Sequence, residues 1–121
     1  MKLKFIFPAV LFAALIVALF SSQLVQAQAA PRRIEVTAKR FDFTPGEITV
    51  KKGEPVVIVL KSADVAHGLT FPDLGVNAKV SKGQTAELAF TPTKTGDFVG
   101  KCSVFCGAGH SKMKLTLHVV D

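Results

Sequence analysis

The chain has 121 residues, with 15 lysines and arginines against 9 acidic residues and a formal net charge of +6. That length leaves room for one small domain at most. The basic residues are scattered rather than run together, which argues against nucleic acid as a partner, and the charge bears on solubility and partner choice without specifying a fold.

Lys2 and Lys4 precede an almost unbroken apolar run from Phe5 to Phe20, and Gln26-Ala27-Gln28-Ala29-Ala30 follows. A charged start, an apolar middle and a small-residue end are the three regions of a secretory signal peptide. Residues 1–29 are read as that signal, with cleavage after Ala29 at an A-x-A pattern, and residues 30–121 as the exported domain. An uncleaved membrane anchor is the alternative, because the sixteen-residue run comes close to the roughly 17 residues that span a bilayer. The brevity of the run and its interruption by Pro8 favour cleavage. The exported part keeps thirteen basic and nine acidic residues, hence +4. A periplasmic or secreted location also permits a disulfide between Cys102 and Cys106, the two cysteines of the chain.

After the linker Pro31-Arg32-Arg33, apolar and polar residues alternate through Ile34 to Lys39, and Phe41 and Phe43 keep the period of two that marks a half-buried strand. Pro45-Gly46 predicts a turn, and Ile48 with Val50 resumes the pattern. Pro55-Val56-Val57-Ile58-Val59-Leu60 is continuously apolar and β-branched, as expected of a strand at the centre of a sheet. Ser62 to His67 is turn-like, Leu69 and Phe71 follow, and Pro72-Asp73-Leu74-Gly75 reads as a loop. Thr85 to Phe90 alternates again, Phe98-Val99 begins a strand ending at Cys102, and Leu115, Leu117 and Val119 alternate to close the chain. No segment after residue 30 has helical periodicity. Short strands bounded by turns predict an all-β sandwich or barrel, with Phe41, Phe43, Phe71, Phe90 and Phe98 in its core.

Between the last two strands lies CSVFCGAGHSKM, which packs Cys102, Cys106, His110 and Met113 into twelve residues. Thiolate and thioether sulfur favour Cu(I), and imidazole accepts both copper oxidation states, so the mixture suits redox copper; zinc in a Cys2His2 set would leave Met113 idle. His67, at the end of a separate strand, can reach the same end of the sandwich. Asp64 is either a turn residue or an acceptor that orients His67. His118 lies in an alternating strand away from the loop and is read as structural. Phe71 and Phe105 are candidates to shield the metal from water.

The pattern Cys102-x3-Cys106-x3-His110-x2-Met113, with His67 inside Asp64-Val65-Ala66-His67, resembles the copper A domain of cytochrome c oxidase subunit II and nitrous oxide reductase. The similarity extends through Phe71-Pro72-Asp73-Leu74-Gly75-Val76 and Gly100-Lys101-Cys102-Ser103 and covers most of residues 55–121. The resemblance implies a cupredoxin-like Greek-key β-sandwich with two copper ions bridged by the Cys102 and Cys106 thiolates. It further implies that His67 and Met113 complete one copper, and that His110 with the backbone carbonyl of Val104 completes the other. Val104 stands where the family usually has Glu, a change that preserves the carbonyl.

Two departures matter. An oxidase subunit II carries transmembrane helices ahead of its copper domain and an aromatic segment that helps receive electrons, whereas this chain shows an export signal, no Trp and no Tyr. Oxidase domains also typically dock a basic cytochrome c through acidic residues, while Lys101, Lys112 and Lys114 flank the pattern here. The expectation is therefore a monomeric electron carrier without enzymatic activity, meeting a redox partner with an acidic docking face and touching membrane only if the leader is retained. A copper carrier or chaperone, a mononuclear blue-copper protein using one Cys, and a Cys102–Cys106 dithiol are the alternatives.

Overall fold

The computed structural model describes residues 30–121; the signal-peptide reading of residues 1–29 lies outside them. The described residues form nine strands: β1 (Arg32–Lys39), β2 (Asp42–Thr44), β3 (Glu47–Lys51), β4 (Val56–Ser62), β5 (His67–Phe71), β6 (Val76–Val80), β7 (Thr85–Phe90), β8 (Gly96–Lys101) and β9 (Lys114–Val120). Among the described residues the helical content is two three-residue 3₁₀ turns, Pro72–Leu74 and His110–Lys112. The expected all-β architecture holds.

Two sheets of order β2-β1-β4-β7 and β3-β9-β8-β5-β6 make the sandwich. The chain crosses from one sheet to the other at the predicted Pro45-Gly46 turn, between β2 and β3. β1 and β4 run parallel, with Val36 opposite Leu60; β3 and β9 are parallel likewise, with Ile48 opposite Leu117. Alternation sends Ile48, Val50, Leu115, Leu117 and Val119 inward. β4 buries both faces, including Val57 and Val59, as its unbroken apolar run predicts. Phe71, Ile58, Leu60, Leu69, Leu115 and Leu117 are fully buried, and each such side chain removed from water contributes about 1.5–3 kcal/mol.

The structure corrects three details. The first strand does not run through Phe43: the chain turns at Arg40-Phe41, and β1 and β2 form a hairpin in which Lys39 faces Asp42. The preferred hairpin residues Asn, Asp and Gly are absent from that turn, so no local signal announces it. Residues 76–80 form an edge strand, β6, where only a preceding loop was expected. Finally, β8 stops at Lys101, leaving Cys102 as the first residue of the loop.

The sheet order places the ends that matter together. β8 lies between β5 and β9, Thr70 faces Lys101, and Lys101 faces Lys114. The loop after β8 continues the same track, with the Ser103 amide donating to the Gly68 carbonyl at 3.3 Å and the Cys102 amide to the Met113 carbonyl at 3.2 Å. His67, the first residue of β5, is thereby brought against the loop. Gly68 eases this approach, because a Cβ there would crowd the Ser103 hydroxyl and stand 3.2 Å from the Ala78 carbonyl oxygen.

Candidate metal centre

All six side chains or carbonyls singled out in the sequence converge at one end of the sandwich. Cys102 Sγ lies 3.9 Å from Cys106 Sγ, 3.8 Å from His67 Nδ1 and 3.2 Å from the Val104 carbonyl oxygen. Cys106 Sγ in turn lies 3.7 Å from His110 Nδ1 and 3.9 Å from Met113 Sδ. His67 and Met113 are fully buried, both thiols nearly so, and His110 is half-buried.

These distances can be tested against a shared metal. A metal–sulfur bond of about 2.3 Å and a metal–imidazole bond of about 2.0 Å allow two sulfurs on one ion to stand up to about 4.6 Å apart, and a sulfur and a nitrogen up to about 4.3 Å. The thiol–thiol and both thiol–imidazole separations fall inside those limits. At 3.9 Å the two sulfurs are not bonded to each other, since a disulfide requires about 2.05 Å. The donor set therefore fits copper in charge, softness and spacing.

Burial raises the Cys106 thiol above its usual range, and the nearby Cys102 adds to the effect. Protons must leave when a metal arrives, which makes metal affinity depend on pH. His67 turns its other nitrogen, Nε2, to Asp64 Oδ1 at 2.7 Å. Of the two roles open to Asp64 it thus takes that of orienting acceptor, fixing which nitrogen of His67 faces the cluster. Partial burial works against the Asp64 charge, but amide donors from Arg40 and Val65 and the His67 ring outweigh it and hold the carboxyl down at about 2.

Sequence reasoning passed over Arg40 and underestimated Phe41. Arg40 Nε donates to the Cys106 carbonyl at 2.7 Å, and its backbone amide donates to Asp64 Oδ2 at 2.8 Å. Phe41 underlies the glycines of the loop: a Cβ on Gly109 would meet its ring at 2.5 Å. Neither contact leaves a mark in periodicity or motif spacing. Phe105, expected as a shield, is 78% exposed, its ring 5.5 Å from that of His110. Phe71 belongs to the core beside Phe90. His118 stands apart from the cluster on β9, bonded to Asp97, and Lys101, Lys112 and Lys114 are exposed on the strand ends and loop.

The sequence model of the cupredoxin-like domain matches residues 11–117. The chain belongs to the cupredoxin-like family. This cupredoxin is 36% identical over 91 residues to cytochrome c oxidase subunit 2 of Cereibacter sphaeroides, a match that spans 73% of this chain and 30% of that subunit. The chain thus spans less than a third of that curated relative. Its fold is shared with the periplasmic domain of subunit II of the cytochrome oxidase of Bradyrhizobium japonicum, at TM-score 0.70 and 24% identity, covering 79% of this chain and 88% of that one. It is shared also with auracyanin A, a blue copper protein of Chloroflexus aurantiacus, at TM-score 0.64 and 21% identity, covering 75% of this chain and all of the other. The resemblance to oxidase subunit II that the sequence pattern carries is borne out by these relatives.

Proposed function

We propose that this cupredoxin is an exported electron carrier that holds a dinuclear copper centre and passes single electrons between redox proteins. The observation that carries the reading is the pair of buried thiols 3.9 Å apart, each with its own imidazole nitrogen within 3.8 Å. Bound copper supplies one-electron chemistry between Cu(I) and Cu(II), which thiolate, thioether and imidazole donors together accommodate.

The ligands are His67, Cys102, the Val104 carbonyl, Cys106, His110 and Met113. His67 and the Val104 carbonyl lie against the Cys102 sulfur, while His110 and Met113 lie against that of Cys106. Pairing His67 with Met113 and His110 with Val104 therefore draws each pair from both sulfurs, which supports thiolates shared across the centre. These six groups would hold the metal between them, a donor set made up of the protein's own side chains and one carbonyl, as suits an electron carrier. Burial of His67, Met113 and both sulfurs keeps water from the centre and limits rearrangement when charge changes. Exposed Lys101, Lys112 and Lys114 favour an acidic partner surface, since complementary charge steers encounter.

Redox titration of the copper-reconstituted protein tests the proposal. A single reversible one-electron step, with a visible spectrum indifferent to added azide or nitrite, is the expected result. An exogenous ligand that binds and alters the spectrum would replace the carrier by an enzyme with an open metal position.

A further inference from the structure

A surface cleft of about 300 Å³, lined by Arg40, Val65, Ala66, Phe105, Cys106 and Gly107, opens beside the cluster, where Cys106 itself is nearly buried. Arg40 stands at that cleft with two attachments. Its guanidinium Nε donates to the Cys106 carbonyl at 2.7 Å, and its amide donates to Asp64, the residue bonded to the His67 ring. One residue of the β1–β2 turn therefore joins the ligand loop to the support of the ligand from β5. Gly107 lies against the two residues of that turn: a Cβ there would stand 3.0 Å from the Phe41 ring and in ordinary contact with the Arg40 guanidinium.

We infer that Arg40 is a positioning residue that clasps the ligand loop shut, and that the cleft it lines is the port through which copper enters and leaves. The hydrogen bond from the Arg40 backbone amide to Asp64 is independent of the side chain, so substitution at Arg40 releases the Cys106 carbonyl alone. Freed of that tether, residues 104–107 can lift away from Asp64 and His67, opening Cys106 to solvent and to competing chelators. An outer contact of this kind typically changes metal affinity by about 10–100-fold.

The inference rests on the copper reading in one arm of its test and is independent of it in the other. In the metal-free reduced protein, R40M is expected to raise the rate of thiol modification by DTNB severalfold at temperatures where melting shows it fully folded. In the copper-loaded protein, R40M is expected to speed transfer of copper to a Cu(I) chelator about tenfold and to shift the copper–thiolate absorption, whereas R40K, which keeps a donor and the charge, stays near the parent. R40L, which likewise lacks a donor, takes the place of R40M with the same expected outcomes should R40M prove unstable. Unchanged thiol reactivity and unchanged release in R40M would overturn the clasp even if copper binds as proposed. If the parent takes up no copper, the port falls with the copper reading, while the DTNB rates still decide whether Arg40 closes the loop.

Discussion

Replacing Asp64 with Asn tests how the fold holds His67, a fully buried member of the candidate cluster. Asp64 accepts three hydrogen bonds, from the amides of Arg40 and Val65 and from His67 Nε2, at 2.7–2.8 Å. Together they lower its carboxyl from 3.8 to about 2, and at 1.36 kcal/mol per unit that preference amounts to about 2 kcal/mol. A folded-state value below the unfolded one means that this stability is fully present above pH 3.8 and is lost as pH falls through about 2. Urea denaturation of metal-free parent and D64N should therefore differ by about 2 kcal/mol near neutrality, with the gap narrowing steadily below pH 4. Copper affinity should fall by about 10-fold or more, because His67 loses the partner that fixes its ring. A gap below about 0.5 kcal/mol at neutral pH, within the range of an ordinary surface change, would refute the argument; so would a gap that persists undiminished at the acid end.

Three further outcomes follow from contacts around the site and the sheets. Gly109→Ala would set a Cβ 2.5 Å from the Phe41 ring; a destabilisation of about 1–3 kcal/mol and weaker copper uptake are expected by thermal melting and metal titration. Met113→Leu, a near volume-conserving change at a fully buried position, should cost less than about 1.5 kcal/mol in the metal-free protein yet alter the absorption and potential of the copper-loaded one. His118 has its pKa raised by the Asp97 hydrogen bond, with Glu47 adding to it. The corresponding stability is present below 6.5 and lost as pH rises through the folded-state value, so Asp97→Asn should lower the melting temperature at pH 5.5 and leave it unchanged at pH 9.

The candidate cluster was legible because softness and spacing are properties of residue type: Cys102, Cys106, His110 and Met113 stand together in one stretch, His67 falls at a strand end that reaches the same end of the sandwich, and the resemblance to subunit II added the Val104 carbonyl. The strands were legible where one face is buried, as in Ile48/Val50 and Leu115/Leu117/Val119, and where both are, as in Val56–Leu60. Short β6 escaped notice because Asn77, Ala78 and Lys79 give its five residues little β character, and its pairing with β5 supplies what propensity does not. The Arg40-Phe41 turn escaped for a different reason. It is held by partners 24 and 66 residues away, Asp64 and Cys106, and such long-range contacts have no local signature. The Arg40 hydrogen bond to the Cys106 carbonyl was hidden with it.

The claim on which the account turns is a copper pair bridged by Cys102 and Cys106. Copper content and EPR of the purified protein, reconstituted with its thiols kept reduced, test it most directly. The account predicts two coppers per chain sharing one unpaired electron, with hyperfine structure from both nuclei, and loss of the shared signal in C102S and C106S alike. One copper with the hyperfine pattern of a single nucleus and an intense blue thiolate band, surviving in one of those variants, would contradict it.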